Sequence, residues 1–163
     1  MVPIEEGNQE NSKLSFNDSF FDLIINRHDF YDSKEIFRIL KPNGHFVTQQ
    51  VGNRDFEKLN TIFGTLIEED EQFEWKLNTA VKFLINSGLE IIEKKESIAN
   101  SRFYDIRAIV YFLKVLDWSF PNFSIKKDLS KLENIYVLIK RDGFFKEICH
   151  RFFVVARKPG NDV

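Results

Sequence analysis

No G-x-G triplet occurs in this sequence, and its seven glycines stand apart from one another. That excludes the common glycine-rich turn in which the backbone closes on a phosphate or nucleotide ligand. Cysteine is nearly absent too. Cys149 alone cannot form an intramolecular disulfide framework or a cysteine-only metal site. No apolar run reaches the roughly 18 residues of a membrane span. Neither charge sign dominates: 23 basic and 25 acidic residues give a net charge of −2. The basic stripe of a nucleic-acid binder is therefore missing. The first twelve residues, MVPIEEGNQENS, are polar and acidic and do not read as a secretory leader. A reducing, cytoplasmic setting is expected.

What is abundant is phenylalanine. Eighteen of 163 residues are Phe, within a 43% hydrophobic composition, which is ample for one Phe-built core. A single domain over 1–163 is expected, with no internal repeat or low-complexity segment.

Periodicity predicts the elements. Val2–Glu5 is a short strand limited to an edge by Pro3. Phe20–Asn26 is an apolar, β-branched run bounded by polar residues, the pattern of a strand in a parallel sheet. A helix capped by Asp32 or Ser33 covers Lys34–Leu40 and stops at Lys41-Pro42-Asn43-Gly44. His45–Val51 is the next strand, completing a βαβ unit. Helices follow at Asp55–Ile67 and Leu77–Asn86, with the acidic run Glu68–Glu71 read as a solvated loop or helix end. A strand at Leu89–Ser97, helices at Asp105–Trp118 and Ile125–Asp142, and a last strand at Ile148–Ala156 complete the order. This alternation predicts an α/β sandwich.

Two segments carry a resemblance. Leu14-Ser15-Phe16-Asn17-Asp18-Ser19-Phe20-Phe21-Asp22-Leu23-Ile24-Ile25 resembles the "LPFxDxSFD" stretch before the fourth strand of class I S-adenosylmethionine (SAM) methyltransferases. Phe37-Arg38-Ile39-Leu40-Lys41-Pro42-Asn43-Gly44 resembles the "R-(I/V)-L-K-P-G-G" before their fifth strand, and Gly88-Leu89-Glu90-Ile91 the opening of their sixth. The resemblance implies the C-terminal part of that family's fold, from its third strand onward. The glycine loop and first two strands are absent on this reading. The fold class expected is an incomplete Rossmann-like methyltransferase sheet, mostly parallel with an antiparallel C-terminal strand, and helices on both faces.

The resemblance also implies site residues. Asn8 and Gln9 match the segment near the cofactor adenine, where an Asn can accept from the amino group; the plain alternative is a polar loop. Ligands of open α/β sheets gather at strand carboxyl ends. Asn26 and Arg27 are expected beside the cofactor, and His28 as a base near neutral pH, or else as a surface histidine. Gln49, Gln50 and Asn53 are expected to meet the acceptor, with Tyr104 lining an apolar pocket for a small molecule. His45, and His150 beside Cys149, are read as structural, and no metal is expected. SAM is the implied cofactor. In the family the fourth strand pairs with the first. Its absence implies that the chain forms a homodimer, takes a second chain that completes the sheet, or acts only as a non-catalytic fragment.

Overall fold

The computed structural model describes residues 13–65 and 75–160. The expected strand at Val2–Glu5, the acidic run at 68–71 and the candidates Asn8 and Gln9 lie outside the described residues. Nine elements run β1 (Phe21–Arg27), α1 (Ser33–Ile39), β2 (Leu40–Val51), α2 (Glu57–Phe63), α3 (Leu77–Asn86), β3 (Glu90–Phe103), α4 (Ile106–Val115), α5 (Leu129–Asp142) and β4 (Phe145–Arg157). The four strands form one sheet in the order β1-β2-β4-β3. β1 and β2 are parallel, and β4 runs antiparallel to β2, as expected for the last strand. Among the described residues, no helix is long and apolar enough to cross a membrane.

The chain divides into two compact units, and β3 and β4 each run through both. The first holds 13–53, 75–97 and 150–160. In it, α1 is launched by Asp32, whose carboxylate accepts from the Lys34 and Glu35 amides at 2.8 and 3.4 Å. α1 ends one residue early because Leu40 is already extended and opens β2. Lys158 Nζ donates to the Phe37 and Leu40 carbonyls at 2.9 and 2.8 Å, satisfying the helix end. The predicted turn at 41–44 survives as an irregularity inside β2. Phe21 pairs with Leu40 but Leu23 with His45, so β2 carries extra residues there. Asn43 supplies the left-handed conformation at φ 64°. Gly44 is needed for close approach, since a Cβ there would sit 2.8 Å from the Lys41 carbonyl oxygen.

Alternation then decides what β1 and β2 bury. Ile24 pairs with Phe46 and Asn26 with Thr48. On that face Phe46, Phe152, Val154 and Ala156 meet Ile36 of α1 and Ala80, Val81 and Leu84 of α3 in one core cluster. α3 matches its predicted bounds because its apolar stripe and the stop at Ser87-Gly88 are both local signals.

The second unit holds 54–65 and 98–149. Its core is Leu59, Ile109, Leu113, Phe120, Leu132, Ile135, Ile139 and Phe145. Here several predicted bounds move, α4 ending at Val115 instead of Trp118 and β4 starting at Phe145 instead of Ile148 among them. α2 starts at Glu57, after Phe56 turns left-handed at φ 56°, and stops at Gly64, φ 69°. α5 starts at Leu129, since residues 125–128 form turns. β3 continues six residues past Ser97 to Phe103.

Candidate functional site

The inward face of the β1–β2 pair changes character toward its carboxyl end. Ile24 and Phe46 are apolar; one step further the same face presents Asn26, Thr48 and Gln50. Thr48 is fully buried and Gln50 nearly so. Buried polar groups are costly unless partnered, and these partner one another. Thr48 Oγ1 donates to Asn26 Oδ1 at 3.0 Å. Gln50 Nε2 reaches the same oxygen at 2.6 Å, Thr48 Oγ1 at 2.8 Å and the Asp29 carbonyl at 3.1 Å. The amide of Asn26 is thus oriented by two donors on the neighbouring strand. Its own Nδ2 makes only a long 3.4 Å contact to the Phe30 carbonyl, leaving donor capacity at the strand end.

Strand parity separates the expected residues. Arg27 pairs with Gln49, so these two share the opposite face from Asn26 and Gln50, and both are exposed. His28 lies just past β1 at φ 57°, exposed, with its amide donating to the Gln49 carbonyl at 2.8 Å. Asn53, two residues beyond β2, is exposed and donates its amide to the Trp75 carbonyl at 2.9 Å. At the carboxyl ends of these two parallel strands, then, Asn26 and Gln50 meet on the inward face, Arg27 and Gln49 lie on the opposite one, and His28 follows just past β1. Tyr104 belongs to the other unit. It is 66% exposed, just before α4, with its ring edge-on to Phe144 at 6.1 Å.

Three features escaped the sequence reading. Thr48 completes the network; its signal was a polar residue two positions after the inward Phe46. Tyr31 packs edge-on against Phe46 at 5.0 Å with its hydroxyl buried and without a hydrogen-bond partner among the described residues. Burial pushes the Tyr31 phenol pKa well above its ordinary value. Buried His150 places Nε2 2.9 Å from Glu96 Oε1, and Gly52 leaves room for its ring: a Cβ at Gly52 would fall 2.2 Å from it. The same Glu96 oxygen accepts from the Leu77 amide that opens α3, at 3.3 Å. His150 is thus held in a structural pairing between β4 and β3.

No protein-family profile matches the chain, and none of the curated proteins matches it. Solved structures do. A candidate methyltransferase from Bacillus halodurans C-125 superposes on 91% of this chain, at 18% identity and a TM-score of 0.55, with 68% of its own chain covered. YcgJ from Bacillus subtilis matches at 14% identity and TM-score 0.49, over 92% of this chain and 69% of its own. A SAM-dependent methyltransferase from Methanosarcina mazei matches at 17% identity and TM-score 0.46, over 92% and 65%. The chain spans about two thirds of the length of these proteins. It has the α/β fold of the class I methyltransferases.

Proposed function

We propose that the carboxyl ends of β1 and β2 form part of a SAM-dependent methyltransferase site acting on a small-molecule acceptor. The observation that supports this is the buried Asn26–Thr48–Gln50 network. It fixes an amide with spare donor capacity where parallel α/β sheets receive ligands.

The residues present fit one side of such a cofactor. Asn26 Nδ2 can donate to an acceptor atom on it, and exposed Arg27 can meet negative charge. The buried Tyr31 hydroxyl, near the strand end in sequence, is a second polar group with no hydrogen-bond partner among the described residues. When bound, SAM supplies a methyl group on a positively charged sulfur. Gln50, whose amide nitrogen is committed to Asn26, Thr48 and the Asp29 carbonyl, positions Asn26. His28 is placed by its left-handed backbone at the mouth of the strand pair, exposed and able to take a proton from an acceptor. Gln49 and Asn53 are exposed and can orient the acceptor by hydrogen bonds. Asn8 and Gln9 are retained as contacts to the adenine. A cytoplasmic setting is part of this proposal.

A second reading has its own support. The sequence holds no G-x-G loop, and β1 is an edge strand among the described residues, with Leu23 and Ile25 exposed. On this reading the chain is a non-catalytic fragment, or works only together with another chain that lies along β1.

Calorimetric titration of SAM into the purified 163-residue chain separates the two. One-to-one binding that weakens in Asn26→Ala supports the site in this chain alone. No detectable heat overturns that reading and leaves the second.

A further inference from the structure

We propose that β1 pairs with β1 of a second copy of this chain, antiparallel and in one register, across a two-fold axis at Ile24. The inference deepens the reading that β1 accepts an added strand, and names the partner.

The hydrogen-bonding parity comes first. The Phe20 amide donates to Ile39 and the His28 amide to Gln49, both on the β2 side. Along a strand, successive residues turn their N–H and C=O groups to opposite edges. Asp22, Ile24 and Asn26 therefore address β2. Leu23, Ile25 and Arg27 point their backbone groups outward, with no strand beside them among the described residues, whereas Phe21, at the register irregularity, keeps its carbonyl toward Gly44 of β2.

Side-chain parity comes second. The same outward-bonding residues share one face of the sheet. Leu23 is 52% and Ile25 71% exposed on it. An unpaired edge carrying exposed apolar side chains invites strand addition.

Third, the sequence is complementary to itself. An isologous two-fold contact requires that residue i face j and j face i. Centring the axis on Ile24 places Leu23 opposite Ile25 twice, in a four-residue apolar block. It places Phe21 opposite Arg27, a ring against a cation, and Asp22 opposite Asn26. No like charges meet. Every pair joins residues of one face, and the two Leu23–Ile25 pairs are those whose backbone groups can exchange hydrogen bonds. A register displaced by one residue would set outward-bonding residues against inward-bonding ones and lose the ladder. In the proposed register Ile24 faces Ile24 of the second copy in a non-hydrogen-bonded pair, with Cα atoms about 4.5 Å apart, within disulfide reach.

The test uses the full chain. Sizing with light scattering should give a dimer, and Ile25→Lys, a change at an exposed position, should give a monomer with an unchanged circular dichroism spectrum. In a Cys149→Ser background, Ile24→Cys should form a disulfide-linked dimer on mild oxidation, and Ile25→Cys should cross-link far less. A monomeric parent chain overturns the proposal. So does a dimer that Ile25→Lys leaves intact, or one in which Ile24→Cys does not cross-link. These outcomes leave a different partner chain open, since they concern the identity of the added strand and not SAM binding.

Discussion

Arg38 Nη1 donates to Asp18 Oδ1 at 2.7 Å, joining the two sequence segments that carry the methyltransferase resemblance. The same guanidinium donates to the Phe16 and Leu14 carbonyls at 2.8 and 3.1 Å and to both oxygens of Glu35 at 2.8 Å. Hydrogen bonding from Arg38 holds the Glu35 carboxyl below its ordinary pKa. One side chain on α1 thus fixes the approach to β1. Replacing it should loosen that approach without unfolding the sheet. In Arg38→Ala, hydrogen exchange at the Ser19 and Phe20 amides, which donate to the Arg38 and Ile39 carbonyls, should quicken several-fold. Amides of α3 should keep their protection. Uniform acceleration everywhere would mean that Arg38 supports the whole unit.

Glu147 makes the second prediction. It is fully buried in β4, and its carboxylate accepts from the Lys58 and Leu59 amides at 3.1 and 2.8 Å. It therefore caps α2, whose own N-cap position, Phe56, offers no side-chain bond. Truncation in Glu147→Ala should cost about 0.5–2 kcal/mol, the range of lost N-caps, measured by urea unfolding. Burial raises the Glu147 pKa above the ordinary 4.5, against the backbone donors that favour the anion. The folded protein then holds this proton more tightly than the unfolded chain. Its contribution to stability is full below pH 4.5 and is lost as the pH rises through the raised value. Glu147→Gln should flatten stability against pH in that window. A slope unchanged by the substitution would assign it to other groups.

These two residues also show where the sequence was legible. The alternation of elements, the bounds of α3 and the carboxyl-end location of Asn26 and His28 rest on local signals, and the structure repeats them. The start of α2 is set by a carboxylate 88 and 89 positions away from the amides it caps. No window centred on Asp55 contains that information. The irregularity in β2 depends on how Phe21 and Leu23 pair with β2, again a non-local fact. The same holds inside the site. Gln49 and Gln50 both read as acceptor contacts from their place at the end of a strand; register, which that reading did not contain, turns the Gln50 side chain inward onto Asn26, while Gln49 faces out.

Gly52 supplies a third prediction. A methyl group at this position would overlap the His150 ring, so Gly52→Ala should destabilise the chain by roughly 1–3 kcal/mol, as overpacking does. Removing the ring should relieve the clash. In a His150→Ala background the added cost of Gly52→Ala should fall to a small fraction of that value, read by thermal melts of the four variants. Equal costs in both backgrounds would locate the effect in the backbone of Gly52 itself.

Asn26 tests whether the network is only structural. Asn26→Ala leaves Thr48 Oγ1 and Gln50 Nε2 without their shared acceptor, a loss of about 1–3 kcal/mol in stability for buried polar groups. Gln50→Leu should cost a comparable amount, and the double variant less than the sum, because the two side chains interact directly. Both single variants would thus look alike by stability. Ligand binding should part them. Asn26 Nδ2 is the group with donor capacity at the strand end, so Asn26→Ala should weaken SAM binding beyond what its stability loss explains, while Gln50→Leu, which leaves Asn26 in place but less well held, should weaken it less. If both variants bind alike once compared well below their melting temperatures, the network holds the strands together and the cofactor contact lies elsewhere on the sheet.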